Sequence, residues 1–279
     1  MHLKQIWLLL LIASFFISCG STEGGGGSGG GSSGTGGSAG NNPPGGSNTG
    51  GAGQQFTGKT ITSNEINTYD GYGYEFWKDG GTGSMTLGNG GTFKCTWNSR
   101  PYQNILFRRG RKFNPVTQTH QQIGNISFDY TASWNPQSDG VSYLCVYGWT
   151  RNPSASGYNK LVEYYIVDDW GPYNKPPNSW EENRALKGTI AIDGGIYDIY
   201  TSTRTNKPSI DGNTNFMQYW SVRQTRRSSG GVVSVSEHFK KWEELGMPLG
   251  FLYEAALTIE GFNSSGSAEI TKNILTIAK

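Results

Sequence analysis

The stretch "EYYIVDDWG" (residues 163–171) decides how the chain is read. Tyr, Ile and Val crowd into it and it stops at Trp-Gly, which is the composition of a strand running into a turn. Successive side chains of a strand point to opposite faces. Glu163, Tyr165 and Val167 therefore share one face, while Tyr164, Ile166 and Asp168 share the other. A carboxylate set beside a tyrosine on one strand face is a candidate reacting group, and such chemistry normally needs a second carboxylate.

Similar runs lie on both sides of it. "GTFKCTWN", "GNISFDYTASWNP", "SYLCVYGWT", "GTIAI", "GIYDIYTSTR", "FMQYWSVRQ" and "LYEAALTIEGF" all read as strands. They are punctuated by "NGG" (89–91), "IDGG" (192–195) and "SIDGN" (209–213), sequences that suit tight turns. Many short strands without intervening helices predict an antiparallel sandwich or jelly roll. One segment differs: "SVSEHFKKWEELG" (234–246) offers Ser234 and Glu237 as a capping box and Gly246 as a stop. His238, Phe239, Trp242 and Leu245 fall on one face at helical spacing, so this helix should pack against the outside of a sheet. That makes His238 a packing residue rather than a base.

The second carboxylate is found in "EAALTIEGF". Alternation puts Glu254, Ala256, Thr258 and Glu260 on one face and Ala255, Leu257 and Ile259 on the core side. Small residues beside Glu260 leave room for a groove. A lone strand Glu is ordinarily just solvated, but a pair on a concave aromatic face is what glycosidic cleavage uses. One carboxyl must hold a proton to protonate the leaving oxygen, and the other must be ionised. Proximity achieves that split, because one negative charge raises its neighbour's pKa.

Composition narrows the alternatives. The formal net charge is only +2, too small to argue for nucleic acid as a partner. "RRGRK" (108–112), the one basic cluster, reads as a solvated hairpin end rather than a phosphate site. No CxxC or His-rich spacing suggests a metal. Residues 1–19 carry Lys4 and an apolar run too short to span a bilayer, as in a secretion signal. They end in "FISCG", which resembles a bacterial lipobox with Cys19 as the lipidated residue; an ordinary cleaved signal is the alternative. Residues 20–55 are Gly/Ser-rich and predict a flexible linker with an rms reach of roughly 30–35 Å. Residues 56–279 are long enough for one domain. Outside the cytoplasm a Cys95–Cys145 disulfide is permitted, though nothing in the sequence makes the two strands neighbours.

In the order and content of its motifs, nearly all of 56–279 resembles glycoside hydrolase family 11, the jelly-roll endo-1,4-beta-xylanases. "LVEYYIVDDWG" is similar to the family's nucleophile strand and "LTIEGFNSSGSA" to its acid/base strand. "YDIYTSTRTNKPSIDG" resembles the thumb hairpin, and "EFWKDGG" (75–81), "NILFRRG" (104–110) and "YLCVYGWTRNP" (143–153) also fit. The resemblance implies two antiparallel, strongly curved sheets with one α-helix packed on the outside. It implies Glu163 as nucleophile and Glu260 as general acid/base of a retaining enzyme acting on xylan or xylo-oligosaccharides. Tyr147 and Tyr165 would bond the nucleophile and the distorted sugar, and Asn104 would contact the acid/base. Trp77 would stack a sugar ring, with core packing as the other reading. Arg204, Pro208, Ile210 and Gln218 would hold the chain, although Arg204 could equally brace the hairpin through an ion pair. No metal or organic cofactor is expected. A monomer is the default expectation, and the signal and lipobox-like motif predict a protein exported and lipid-anchored at the bacterial cell envelope or secreted. A carbohydrate-binding sandwich without turnover and a β-1,4-glucanase are the other functions the residues allow. The segment "SASGYNK" (154–160) is an insertion relative to the family, and Asn263 stands where Gln is common.

Overall fold

The computed structural model describes residues 56–137 and 140–279. The expected signal segment 1–19, its Cys19 and the linker 20–55 lie outside the described residues. Sixteen strands follow in order. The first six are β1 (Thr60–Ile61), β2 (Glu65–Tyr69), β3 (Tyr72–Lys78), β4 (Thr82–Leu87), β5 (Phe93–Asn98) and β6 (Asn104–Lys112). After a single-turn helix α1 (His120–Ile123) come β7 (Asn125–Pro136), β8 (Val141–Arg151) and β9 (Leu161–Asp169). Then follow β10 (Glu182–Ile192), β11 (Gly195–Ser209), β12 (Gly212–Arg223) and β13 (Gly230–Val233). Helix α2 (Val235–Glu244) precedes β14 (Phe251–Leu252), β15 (Glu254–Phe262) and β16 (Ser265–Ala278).

The strands form two sheets. The smaller has the order β1-β4-β5-β16-β7-β13, and the larger β10-β11-β12-β9-β8-β15-β6-β3-β2, with β14 added on β8. All three turns read from the sequence join hairpin or sequential strands: 89–91 joins β4 to β5, 192–195 joins β10 to β11, and 209–213 joins β11 to β12. Among the described strands pairing is antiparallel except between β9 and β12, which run parallel. The expected all-antiparallel sandwich is corrected there. Strands β9 and β12 can lie parallel because the long β10–β11 excursion separates them in sequence.

The large sheet is apolar on both faces, and this is what makes a groove. One face meets the small sheet in a core that includes Phe107, Leu144, Tyr164, Ile166, Leu257 and Ile259 opposite Phe93, Phe128 and Ile270. The reverse face carries a second cluster, including Leu106, Tyr143, Tyr147, Trp149, Tyr165, Phe216 and Trp220. The alternation read from residues 163–168 and 254–260 thus sorts side chains correctly between core and groove. Register shifts in β8–β9, β10–β11 and β11–β12 mark bulges, which bend strands and deepen local twist. At Gly148 a Cβ would lie 1.9 Å from the Glu254 carbonyl and 2.6 Å from the Tyr164 hydroxyl, so only glycine fits this close approach.

Helix α2 has the predicted buried face. His238, Phe239 and Trp242 are buried, and Leu245 packs against the same core. Trp242 lies edge-on to Tyr219 and donates from Nε1 to Ser221 Oγ at 2.9 Å, satisfying a buried indole. The helix therefore covers part of the large sheet's core-side face. His238 lies edge-on to Tyr197, and burial with the nearby Arg227 charge pushes its pKa down to about 3. It is a packing residue, as expected.

Two further expectations are corrected, and the question of a disulfide is answered. Ser234 caps nothing with its side chain; its hydroxyl and amide instead donate to Asp193 at 2.7 Å each. The capping box sits at α1, where Thr119 and Gln122 bond reciprocally. "RRGRK" is no solvated hairpin end: Arg108 and Arg109 are buried in β6, Arg108 between Glu75 and Glu254. The permitted disulfide is not formed. Cys95 and Cys145 are buried free thiols, one in the inter-sheet core and the other in the groove-side cluster.

Candidate active site

Strand β9 places Glu163 between β8 and β12, in register with Trp149 on one side and Gln218 on the other. All nine residues of β9 are buried, so its carboxylate cannot be solvated by bulk water and must find partners in the protein. It does. Tyr147 donates to Oε1 at 2.8 Å and Gln218 Nε2 donates to Oε2 at 2.7 Å. Each donor is itself held: Trp149 Nε1 donates to the Tyr147 hydroxyl at 2.6 Å. Ser202 Oγ donates to Gln218 Oε1 at 3.0 Å, and Trp220 Nε1 donates to Ser202 Oγ at 2.9 Å. Fixing Gln218 by its oxygen turns its amide hydrogens toward Glu163.

Glu260 projects from β15 into the same groove. Asn104 Nδ2 donates to its Oε1 at 2.9 Å, while Oε2 has no hydrogen-bond partner among the described residues. Asn104 is positioned through its backbone amide, which donates to Asp79 Oδ1 at 2.6 Å. Tyr165, stacked flat on Trp220 at 4.1 Å, lies near enough to both carboxyl groups to oppose the rise in their pKa values. The two strands are not neighbours; β8 lies between them, and the curved sheet brings the acids together.

Their environments push them apart electrostatically. Glu260 is raised to about 7, first by burial and then by the charge of Glu163. Burial also raises Glu163, but hydrogen bonds from Gln218 and Tyr147, the Arg204 charge and Tyr165 all oppose it. Glu163 has donors on both oxygens, whereas one oxygen of Glu260 is bare. The proton therefore rests on Glu260 and the charge on Glu163.

The other sequence-derived residues divide. Trp77 is half-buried and packs against the groove-side cluster. Arg204 forms the ion pair anticipated as its alternative role, its Nη1 lying 3.0 Å from Glu181 Oε2, while its charge still reaches both carboxylates. Ile210 packs at the edge of the cluster from the tip of hairpin β11–β12, and Pro208 is exposed on the same hairpin. The hairpin is tethered by an Arg151–Asp211 ion pair. The insertion 154–160 rests beside it, with Tyr158 and Thr205 hydroxyls 3.0 Å apart. Glu254, on the Glu260 face, is taken up in a charge network. It pairs with Arg108 at 2.8 Å and Lys112 at 2.9 Å, and Arg108 lies 5.3 Å over the Tyr147 ring. The basic run of β6 facing glutamates on adjacent strands was the signal for this network. Among the described residues no cluster of three or more His, Cys, Asp or Glu is placed to hold a metal.

A sandwich whose concave sheet carries two buried, unequally hydrogen-bonded carboxyl groups among aromatic rings is the architecture of a glycosidase. The chain belongs to glycosyl hydrolases family 11, whose profile matches residues 69–271. It is 56% identical to endo-1,4-beta-xylanase A of Bacillus pumilus over 219 residues, covering 78% of this chain and 87% of that protein. It is 54% identical to a bifunctional xylanase/deacetylase of Pseudobutyrivibrio xylanivorans, covering 78% of this chain but only 33% of that longer protein. Among solved structures, wild-type ENZbleach xylanase superposes with a TM-score of 0.71 at 36% identity, covering 82% of this chain and 91% of that one. A loop-swap mutant of Neocallimastix patriciarum Xyn11A gives 0.69 at 39% identity, over 79% of this chain and all of the other.

Proposed function

We propose that the domain, an endo-1,4-beta-xylanase, cleaves internal β-1,4-xylosidic bonds by double displacement with retention. Glu260, protonated, gives its proton to the glycosidic oxygen as that bond breaks. Glu163 attacks the anomeric carbon and forms a glycosyl-enzyme. The ester removes the charge of Glu163, so Glu260 is less reluctant to ionise. Glu260, now a carboxylate, takes a proton from water as the water attacks the anomeric carbon and frees Glu163. Tyr147 and Gln218 hold Glu163 in line for attack, Tyr165 is placed between the acids, and Asn104 orients Glu260. Trp77, Arg204, Pro208 and Ile210 line the path of the sugar chain.

The observation that carries this reading is the unequal pair itself: Glu163 doubly hydrogen-bonded, Glu260 held near neutrality by burial and its neighbour's charge. The test is a reducing-sugar assay on xylan and on carboxymethylcellulose, run for the wild type and Glu163→Gln. Turnover on xylan should fall on the order of 10⁴-fold or more in the variant. Activity on carboxymethylcellulose alone would make the domain a glucanase, and no wild-type turnover on either would leave a binding module.

The "FISCG" motif supports a further reading, that Cys19 is lipidated and residues 20–55 tether a monomeric domain to the bacterial envelope. Cys19→Ser should then move the protein from the membrane fraction to the soluble one.

A further inference from the structure

We infer that Trp180 is an additional sugar platform, extending the groove beyond Glu260 on the side away from Trp77. The inference rests on the reading of the groove as a xylan site.

Trp180 lies in the segment joining β9 to β10. It is 61% exposed, unlike Trp149 and Trp220, which are buried in the groove floor. Yet the segment around it is pinned on both flanks. Two residues before it, Asn178 is buried and donates from Nδ2 to the Tyr143 hydroxyl at 3.1 Å. The residue after it, Glu181, pairs with Arg204 at 3.0 Å, and its amide donates to the Asn178 carbonyl at 3.0 Å, closing the turn. Further upstream, Lys175 pairs with Asp198 at 3.2 Å. The fold therefore spends two groove-facing polar contacts to fix a short turn whose apolar ring it leaves in water.

Strand register gives the turn its place. Across the large sheet Trp77 lies opposite Leu106, Leu106 opposite Glu260, and Glu260 opposite Tyr143. Trp77 and Tyr143 thus flank Glu260 along one row, three strand spacings or about 14 Å apart. Asn178 bonds to the outer end of that row. A sugar chain lying over Trp77 and past Glu260 continues over Tyr143 toward residues 178–181. The ring standing there offers the flat apolar surface that a pyranose face stacks on, and its indole N–H can serve a ring hydroxyl.

The experiment compares kcat/KM on xylohexaose with that on xylotriose for the wild type, Trp180→Ala and Trp180→Phe. Trp180→Ala should lower the hexaose-to-triose ratio about threefold to tenfold, the size of one aromatic stacking contact. Trp180→Phe should restore most of it. In a Glu163→Gln background, Trp180→Ala should weaken xylohexaose binding by a similar factor in calorimetry. An unchanged ratio and unchanged hexaose affinity would overturn the inference while leaving the xylanase reading intact. A fall for Phe equal to that for Ala, or equal losses on both oligosaccharides, would also overturn it. A wild type inactive on every xylo-oligosaccharide would overturn both.

Discussion

Replacing Glu260 by Gln should destroy activity and, above neutral pH, make the protein more stable. The carboxyl is held protonated in the native state up to about pH 7, whereas its ordinary value is 4.5. Below 4.5 both native and unfolded chains carry the proton, and the group is neutral to stability. Between 4.5 and 7 only the native state keeps it, so stability falls as pH rises through that window. At 1.36 kcal/mol per pH unit, the loss is about 3 kcal/mol by pH 8. The amide in Glu260→Gln has no such proton to lose. Urea unfolding of both proteins at pH 4 and pH 8 isolates the effect. The amide's altered contact with Asn104 and the bare position at Oε2 are common to both pH values and cancel. The variant's advantage should grow by about 3 kcal/mol from pH 4 to pH 8, or roughly 6–12 °C in Tm for a domain this size. An advantage that is the same at both pH values would refute the claim that Glu260 is native with a raised pKa. On the proposed mechanism the same group sets a kinetic limit: kcat/KM should decline above about pH 7 as Glu260 loses its proton.

Other outcomes follow from groups outside the pair. Asp168 is buried and accepts from Tyr130 at 2.5 Å, Tyr197 at 2.6 Å and Arg227 at 2.6 Å. Asp168→Ala leaves the Arg227 charge without its counter-ion and two buried hydroxyls without their acceptor, and should cost about 3–5 kcal/mol in urea unfolding. Arg108→Met leaves Glu254 buried with only Lys112 to compensate and should cost a similar amount, while Arg108→Met with Glu254→Gln should recover most of it; equal losses would argue that packing, not charge, dominates. Because Cys95 and Cys145 are unbonded, dithiothreitol should leave Tm unchanged, and a drop would show a disulfide after all.

The groove was legible because its strands obey a rule of two. From Glu163 and Glu260, alternation alone separated groove from core along β9 and β15, and no tertiary contact overrode it. The face of α2 was equally plain, since four apolar or aromatic residues at helical spacing have few other uses. What failed depended on neighbours distant in sequence. "RRGRK" looks solvated until Glu75 and Glu254, on strands flanking β6, are known to neutralise it. Ser234 looks like a cap until Asp193 takes its hydroxyl. The parallel β9–β12 pair leaves no local trace, because each strand's pattern is the same whichever way its neighbour runs. Glu181 and Asn178, which bond to Arg204 and Tyr143, sit in a turn with no periodicity to read.

Strand β9 has no exposed residue, and its two faces meet unlike company. Sliding it one position would drive an ionisable head into hydrocarbon and swing Tyr164 and Ile166 out where the polysaccharide should lie. Such a misthreaded chain would owe the full desolvation of an orphan anion. The carboxyl group proposed as nucleophile is thus also a sentinel of assembly, penalising a one-residue slip of the strand.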